Sequence, residues 1–98
     1  MDRVKADIIA RVHLYRTEAG GRSKALPAAP FGCPFFYEGE GFDCRLLLDQ
    51  VLAPGTTAEV PIKFLNPGMV KPRLSVGARF KLWEAGDFAD GEVLEVTK

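Results

Sequence analysis

The sequence predicts an all-β fold in which six antiparallel strands form a closed barrel or a sandwich. Residues 4–15 alternate apolar and polar side chains with a period of two, which is typical of a long strand with one buried face. Five later segments alternate in the same way or form short apolar runs between turn residues, and no segment has a convincing helical period. These segments are residues 34–38, 42–49, 58–65, 78–83 and 92–96.

Residues that can turn the chain separate the predicted strands, as an antiparallel fold requires. The first turn lies in residues 18–27, EAGGRSKALP, where two glycines and two cations would also suit a phosphate-binding loop. Such a loop directs backbone N–H groups at the anion from the start of a helix, and no helix is predicted here, so we interpret this segment as a turn. The other turns are predicted at residues 27–32, 39–41, 54–55, 66–68 and 85–87.

The length and charge of the chain limit its classes of function. With 98 residues, 47% of them hydrophobic, we predict one domain over residues 1–98. The 13 Lys and Arg balance the 13 Asp and Glu, which removes the overall positive charge that most nucleic-acid binders use but leaves room for a local basic patch. No apolar run is long enough to span a membrane, and MDRVKADIIA is too charged for a signal peptide, so the predicted compartment is the cytoplasm.

No set of side chains in the sequence predicts an enzyme, a metal site or a cofactor. Cys33 and Cys44 are eleven residues apart, without a CxxC motif and with His13 as the single histidine, so we predict two free, buried thiols. His13 falls on the polar face of the first strand without a nucleophile or ligand spacing around it. Glu38 and Glu40 lie in a turn, and we interpret them as solvated acids that keep a sheet edge soluble.

After the long first strand, four motifs follow in order: EAGGRS, CPFFY, LAPGTTAEVPIKFLNP and GARFKLWEAGD. In this order and spacing they resemble the C-terminal (third) β-barrel of bacterial translation elongation factor Tu, over about residues 6–96. The resemblance implies a closed six-stranded barrel whose first and last strands pair. It also implies a free-standing barrel that does not bind GTP, because the family's GTPase domain and second barrel have no counterpart in this sequence.

In that family this barrel contacts the T stem of aminoacyl-tRNA, the two other domains and the nucleotide-exchange factor. Most of the residues that would face tRNA differ here. Phe35 stands where the family has a glutamine, and Cys33 where it has an arginine. In the last turn Trp83 replaces an arginine, while Glu84 matches the family's glutamate. Asp87 replaces the second arginine and puts a negative charge where a phosphate would approach.

The two aromatic replacements suggest a binding surface that differs from that of the family. Arg22 matches the arginine of the turn that faces the GTPase domain, and alternation places Trp83 on the polar face of its strand. Aromatic side chains flanked by charges are typical of protein interfaces, whereas local packing and stacking of RNA bases are the alternatives. We therefore expect a non-enzymatic module that binds a protein partner, and as the alternative an RNA-binding module that retains part of the T-stem contact. The expected partner-binding residues are Arg22, Phe35, Trp83 and Glu84.

Overall fold

The computed structural model describes residues 6–97, which form a closed barrel of six antiparallel strands. Around the barrel the strand order is β1, β4, β3, β2, β5 and β6, and β6 pairs with β1 to close it. The predicted barrel is therefore confirmed, including the pairing of its first and last strands; residues 4 and 5 of the predicted first strand lie outside the described residues. The strands are β1 (Ile8–Leu14), β2 (Pro30–Tyr37), β3 (Glu40–Leu47), β4 (Thr57–Phe64), β5 (Arg79–Trp83) and β6 (Asp87–Val96).

The strands β2, β3, β4 and β6 begin earlier than the sequence pattern predicts, β2 and β6 by the largest margins. β2 starts at Pro30 rather than at residue 34, because the extra residues pair with the end of β3, where Pro30 lies opposite Leu47. β6 starts at Asp87 rather than at residue 92. In its first half the adjacent residues Phe88 and Ala89 are both buried and Gly91 has no side chain, so this part of the strand does not show a period of two.

Gly91 is small because the barrel interior leaves no space for a side chain at this position. A Cβ atom there would overlap the ring of Phe80 and lie 2.7 Å from the carbonyl oxygen of Arg11. Phe80 in turn stacks on Phe35 with ring centres 4.2 Å apart, and Phe35 packs edge-on against Phe64 at 4.9 Å. Three aromatic rings from three strands thus fill the core beside a glycine.

The turn after β1 has the local structure that two glycines allow. A 3-10 turn over Thr17–Ala19 ends at Gly20, which has a φ of 92°. The N–H group of Gly21 donates to the carbonyl of Arg16 at 2.9 Å, and that of Gly20 to the carbonyl of Thr17 at 3.1 Å. The interpretation as a turn is confirmed, because these amides are already used inside the turn instead of being directed at an anion.

The connection between β4 and β5 contains one short helix, α1 (Pro67–Val70), followed by a 3-10 turn over Lys71–Arg73. Val70 and Leu74 anchor this connection in the hydrophobic core. No helix in the described part of the chain is long and apolar enough to cross a membrane.

Arg73 joins that connection to the β2–β3 hairpin. Its guanidinium donates to Glu40 Oε1 at 2.8 Å and to Glu38 Oε1 at 3.2 Å, and these hydrogen bonds raise the pKa of Arg73. The same guanidinium lies 5.5 Å from the ring centre of Phe42. Glu38 and Glu40 are exposed as predicted, but their interpreted role at a sheet edge is wrong, because a closed barrel has no free edge here and the two acids hold Arg73 instead.

Candidate interaction surface

Trp83 lies on the outer face of β5, as the alternation predicts. Phe80 and Leu82 on the same strand point into the core, whereas the Trp83 side chain is 41% exposed. Trp83 therefore lies outside the hydrophobic core. It is also the single tryptophan of the chain, which makes it a direct spectroscopic probe of this surface.

Phe35 does not belong to this surface, so the expectation that the two aromatic replacements form one binding surface is wrong for Phe35. Phe35 is fully buried and packs against two phenylalanine rings of the core. The reason is the register of β2, in which Cys33 and Phe35 face inward and Phe36 faces outward. The predicted burial of Cys33 could have indicated that Phe35 is buried too, because residues two positions apart on a strand lie on the same face.

Phe36 takes the place that the sequence analysis assigned to Phe35. It lies directly opposite Lys81 across the β2–β5 pair, and Trp83 is two residues further along the same outer face. The rings of Phe36 and Trp83 meet edge to face, with centres 6.3 Å apart and planes at 71°. We call these two residues the aromatic face; neighbouring strands bring them together across a diagonal that aromatic side chains can span.

Arg22 and Glu84, the other two expected partner-binding residues, contact each other. Arg22 Nε lies 2.9 Å from Glu84 Oε1, and the guanidinium stacks 4.9 Å from the ring centre of Phe31. Only 19% of the Arg22 side chain is exposed, and its Nη1 has no hydrogen-bond partner among the described residues. The contact holds the loop after β1 against the β5–β6 turn, whose first residue, Glu84, follows Trp83 in the sequence.

The charges around the aromatic face are balanced. Lys81 Nζ is 3.7 Å from Asp87 Oδ2, and Arg79 Nη1 is 3.9 Å from Glu92 Oε1. The cations of β5 therefore already have carboxylate partners, which leaves little net positive potential to attract a phosphate backbone.

A shallow cavity of about 330 Å³ adjoins the aromatic face. Phe36 forms part of its wall, together with Arg79, Lys81 and Asp90. The hydroxyl of Tyr15 donates to Asp90 Oδ2 at 3.2 Å, and the pKa of Tyr15 is raised by partial burial and then by this carboxylate. The cavity thus joins an aromatic wall to side chains of both charges, a lining suited to a mixed polar and apolar segment.

His13 does not belong to a metal site in the described residues. His13 Nδ1 is 2.9 Å from Thr57 Oγ1 on the neighbouring strand. Within residues 6–97, no group of three His, Cys, Asp or Glu side chains is placed to hold a metal ion. The two described cysteines are free and buried, as predicted.

Cys33 and Cys44 are expected to react slowly with thiol reagents in the folded protein. They lie directly opposite each other on β2 and β3, with their sulfur atoms 4.0 Å apart. The hydrogen bond with Cys33, followed by burial, raises the pKa of the Cys44 thiol well above its usual range. An aromatic disulfide reagent at about pH 8 should therefore react at least about a hundredfold more slowly with folded than with denatured protein.

The same pKa shift predicts how stability changes at alkaline pH. The folded state retains a proton that the unfolded thiol releases above about pH 8.5, so the free energy of unfolding should fall as the pH rises past that value. Replacing Cys44 by alanine should remove this part of the pH dependence. If both thiols react rapidly in the folded protein, they are not buried. If fewer than two thiols react in denaturant, the two cysteines of the sequence are not both free.

The fold and this surface define a class, an all-antiparallel closed β-barrel that carries an exposed aromatic face. No protein-family model matches the chain, and no curated protein is significantly similar to it. The resemblance to the third barrel of elongation factor Tu therefore stays a prediction.

Proposed function

We propose that this chain is a non-enzymatic interaction module, similar to the third barrel of elongation factor Tu, that binds a protein partner through the aromatic face of Phe36 and Trp83. The observation that carries the proposal is the position of Trp83, which is 41% exposed beside a second aromatic ring. The resemblance favours a partner that takes part in translation, which the chain would meet in the cytoplasm.

The surroundings of the aromatic face favour a protein over other ligands. In protein interfaces a few aromatic anchors contribute most of the binding energy and are ringed by polar groups that exclude water. Here the ion pair Lys81–Asp87 supplies part of such a polar rim, since Lys81 lies opposite Phe36 and Asp87 opposite Trp83 in the sheet. Burial of an exposed tryptophan at the centre of an interface typically contributes about 2 kcal/mol or more.

A tRNA-binding module is the second candidate, because exposed aromatic rings can also stack on unpaired bases. The family that the sequence resembles contacts tRNA with this barrel. Two observations count against it here. Asp87 is acidic where the family has an arginine, and it lies 3.7 Å from Lys81, whose charge it offsets.

Replacement of Trp83 by alanine is expected to weaken partner binding more than tenfold while leaving the fold intact. The side chain is outside the core, so its loss should change the melting temperature by only a few degrees. The wild-type and Trp83→Ala proteins are immobilised in parallel and exposed to an extract of the native cell. Proteins that only the wild type retains are then identified by mass spectrometry. Binding of each purified candidate is then followed by the fluorescence of Trp83, whose emission should shift to shorter wavelength on burial.

Val51→Ala is the matched control. Val51 is an apolar residue that is 62% exposed, and it lies on the connection between β3 and β4, whereas Phe36 and Trp83 lie on β2 and β5. It should retain wild-type affinity for the same partner. Affinity for a protein partner should depend weakly on salt, because the rim charges are already paired. Tight binding of bulk tRNA that falls steeply with added salt and survives Trp83→Ala would contradict the proposal.

A further inference from the structure

A second concave surface lies on the outside of the barrel where β3 and β4 pair. The two strands pair over three positions, Cys44 with Phe64, Arg45 with Lys63 and Leu46 with Ile62. A groove of about 390 Å³ opens beside this short pairing. The β2–β3 hairpin separates it from the aromatic face, since β4, β3, β2 and β5 follow one another around the barrel. Its walls include Asp43, Arg45, Lys63, Phe64, Leu65 and Pro67.

Two like charges face each other across this groove. Arg45 and Lys63 are exposed and directly opposite in register, a position in which side chains of neighbouring strands interact and like charges destabilise the sheet. Among residues 6–97, neither Arg45 nor Lys63 has a carboxylate oxygen within 4.0 Å. Lys24 likewise has none, and every other described Lys or Arg is in an ion pair. The fold therefore places two cations opposite each other, neither of them in an ion pair with a described carboxylate, while Asp43 lies in the same wall.

Two exposed apolar side chains follow the end of β4, and one of them, Leu65, lines the groove. Leu65 follows Lys63 by two residues, and its N–H group donates to the carbonyl of Asp43 at 3.0 Å, which keeps the end of β4 against β3. Leu65 is 67% exposed, and Met69 on α1 is 66% exposed. An exposed aliphatic side chain in the wall of a groove can supply the apolar contact of a ligand, beside charged side chains that orient it.

We infer that this groove binds an extended segment of another protein in which a carboxylate and a large aliphatic side chain are separated by one residue. In an extended chain, residues two apart lie on the same face about 7 Å from each other. A segment that runs along β4 would then place its carboxylate at Arg45 and Lys63 and its aliphatic side chain at Leu65. The exposed Leu65 favours a peptide over a phosphate backbone, because a phosphate backbone has no apolar group to place on it.

The test selects ligands from a random peptide library displayed on phage, with the whole chain immobilised. The selected peptides should be enriched in Asp or Glu two positions from Leu, Ile or Met. As synthetic peptides with a fluorescent label, they should bind the Arg45→Ser/Lys63→Ser variant at least about fivefold more weakly than the wild type. Lys24→Ser is the matched control, because it removes an unpaired cation elsewhere, and it should bind like the wild type. Trp83→Ala should also bind normally, which separates this groove from the proposed function of the aromatic face.

Lys63→Glu gives a test in which stability and binding change in opposite directions. The new carboxylate would lie opposite Arg45 and replace a repulsion by an attraction, so the melting temperature should rise by about 1–4 °C. The same variant should lose at least as much affinity for the acidic peptides as the double serine variant. Selected peptides without acidic residues, or affinities that the charge variants do not change, would overturn the inference. Binding of a single-stranded oligonucleotide that the same variants abolish would also overturn it and assign the groove to nucleic acid.

Discussion

Replacement of Phe35 by alanine is expected to lower the free energy of unfolding by about 3–5 kcal/mol, the range for large-to-small changes in a core. Phe35 is fully buried, stacked 4.2 Å from the Phe80 ring and edge-on to Phe64 at 4.9 Å. Its removal would leave a cavity that these two rings cannot close without leaving their own contacts. Denaturant unfolding followed by the fluorescence of the single tryptophan measures the change.

Phe36→Ala is the control for this variant, since it removes the same side chain from the next residue. Phe36 is only partly buried and faces the outside of the barrel, so its loss should cost about 1 kcal/mol or less. The two variants together test the register of β2. An equal cost for both, or a larger cost for Phe36→Ala, would mean that the strand presents its other face to the core.

Replacement of Asp7 by alanine is expected to lower the free energy of unfolding by about 2–3 kcal/mol. Asp7 Oδ2 accepts a hydrogen bond from the N–H group of Phe64 at 2.7 Å, and Oδ1 lies 3.8 Å from Lys71 Nζ. The carboxylate is buried, so its loss leaves a buried N–H group without an acceptor as well as removing an ion pair. The backbone of Asp7 also joins both neighbours of β1, through Ile62 at 2.8 Å and Thr97 at 2.9 Å.

Asp7→Asn separates the hydrogen bond from the charge. The amide keeps an oxygen that can accept from Phe64 but lacks the attraction to Lys71, so this variant should lose about 1 kcal/mol or less. Hydrogen exchange of the Phe64 amide should be faster in Asp7→Ala than in Asp7→Asn. If the free energy of unfolding of Asp7→Ala lies within about 0.5 kcal/mol of the wild-type value, the carboxylate does not hold the start of β1 to β4.

The sequence predicted most of the fold because strand alternation is a local property. The run GARFKLW has one clear alternation, which is enough to place Phe80 and Leu82 inside the barrel and Trp83 outside it. In CPFFY the two adjacent phenylalanines allow either face, and the expected site included the wrong one. The choice between them depended on which face of β2 meets Phe64 and Phe80, residues far along the chain.

The sequence by itself determined that the chain is a six-stranded β-protein, that its two cysteines are buried and that Trp83 faces outward. The tertiary structure decided which side chains far apart in the sequence meet, across strands or between connections. Arg22 with Glu84, Arg73 with Glu40, and Arg45 opposite Lys63 are pairs that no local pattern specifies. The physical reason is that alternation has a period of two and sets only the face of each residue, whereas a partner across the sheet is set by register, which depends on the packing of the whole barrel.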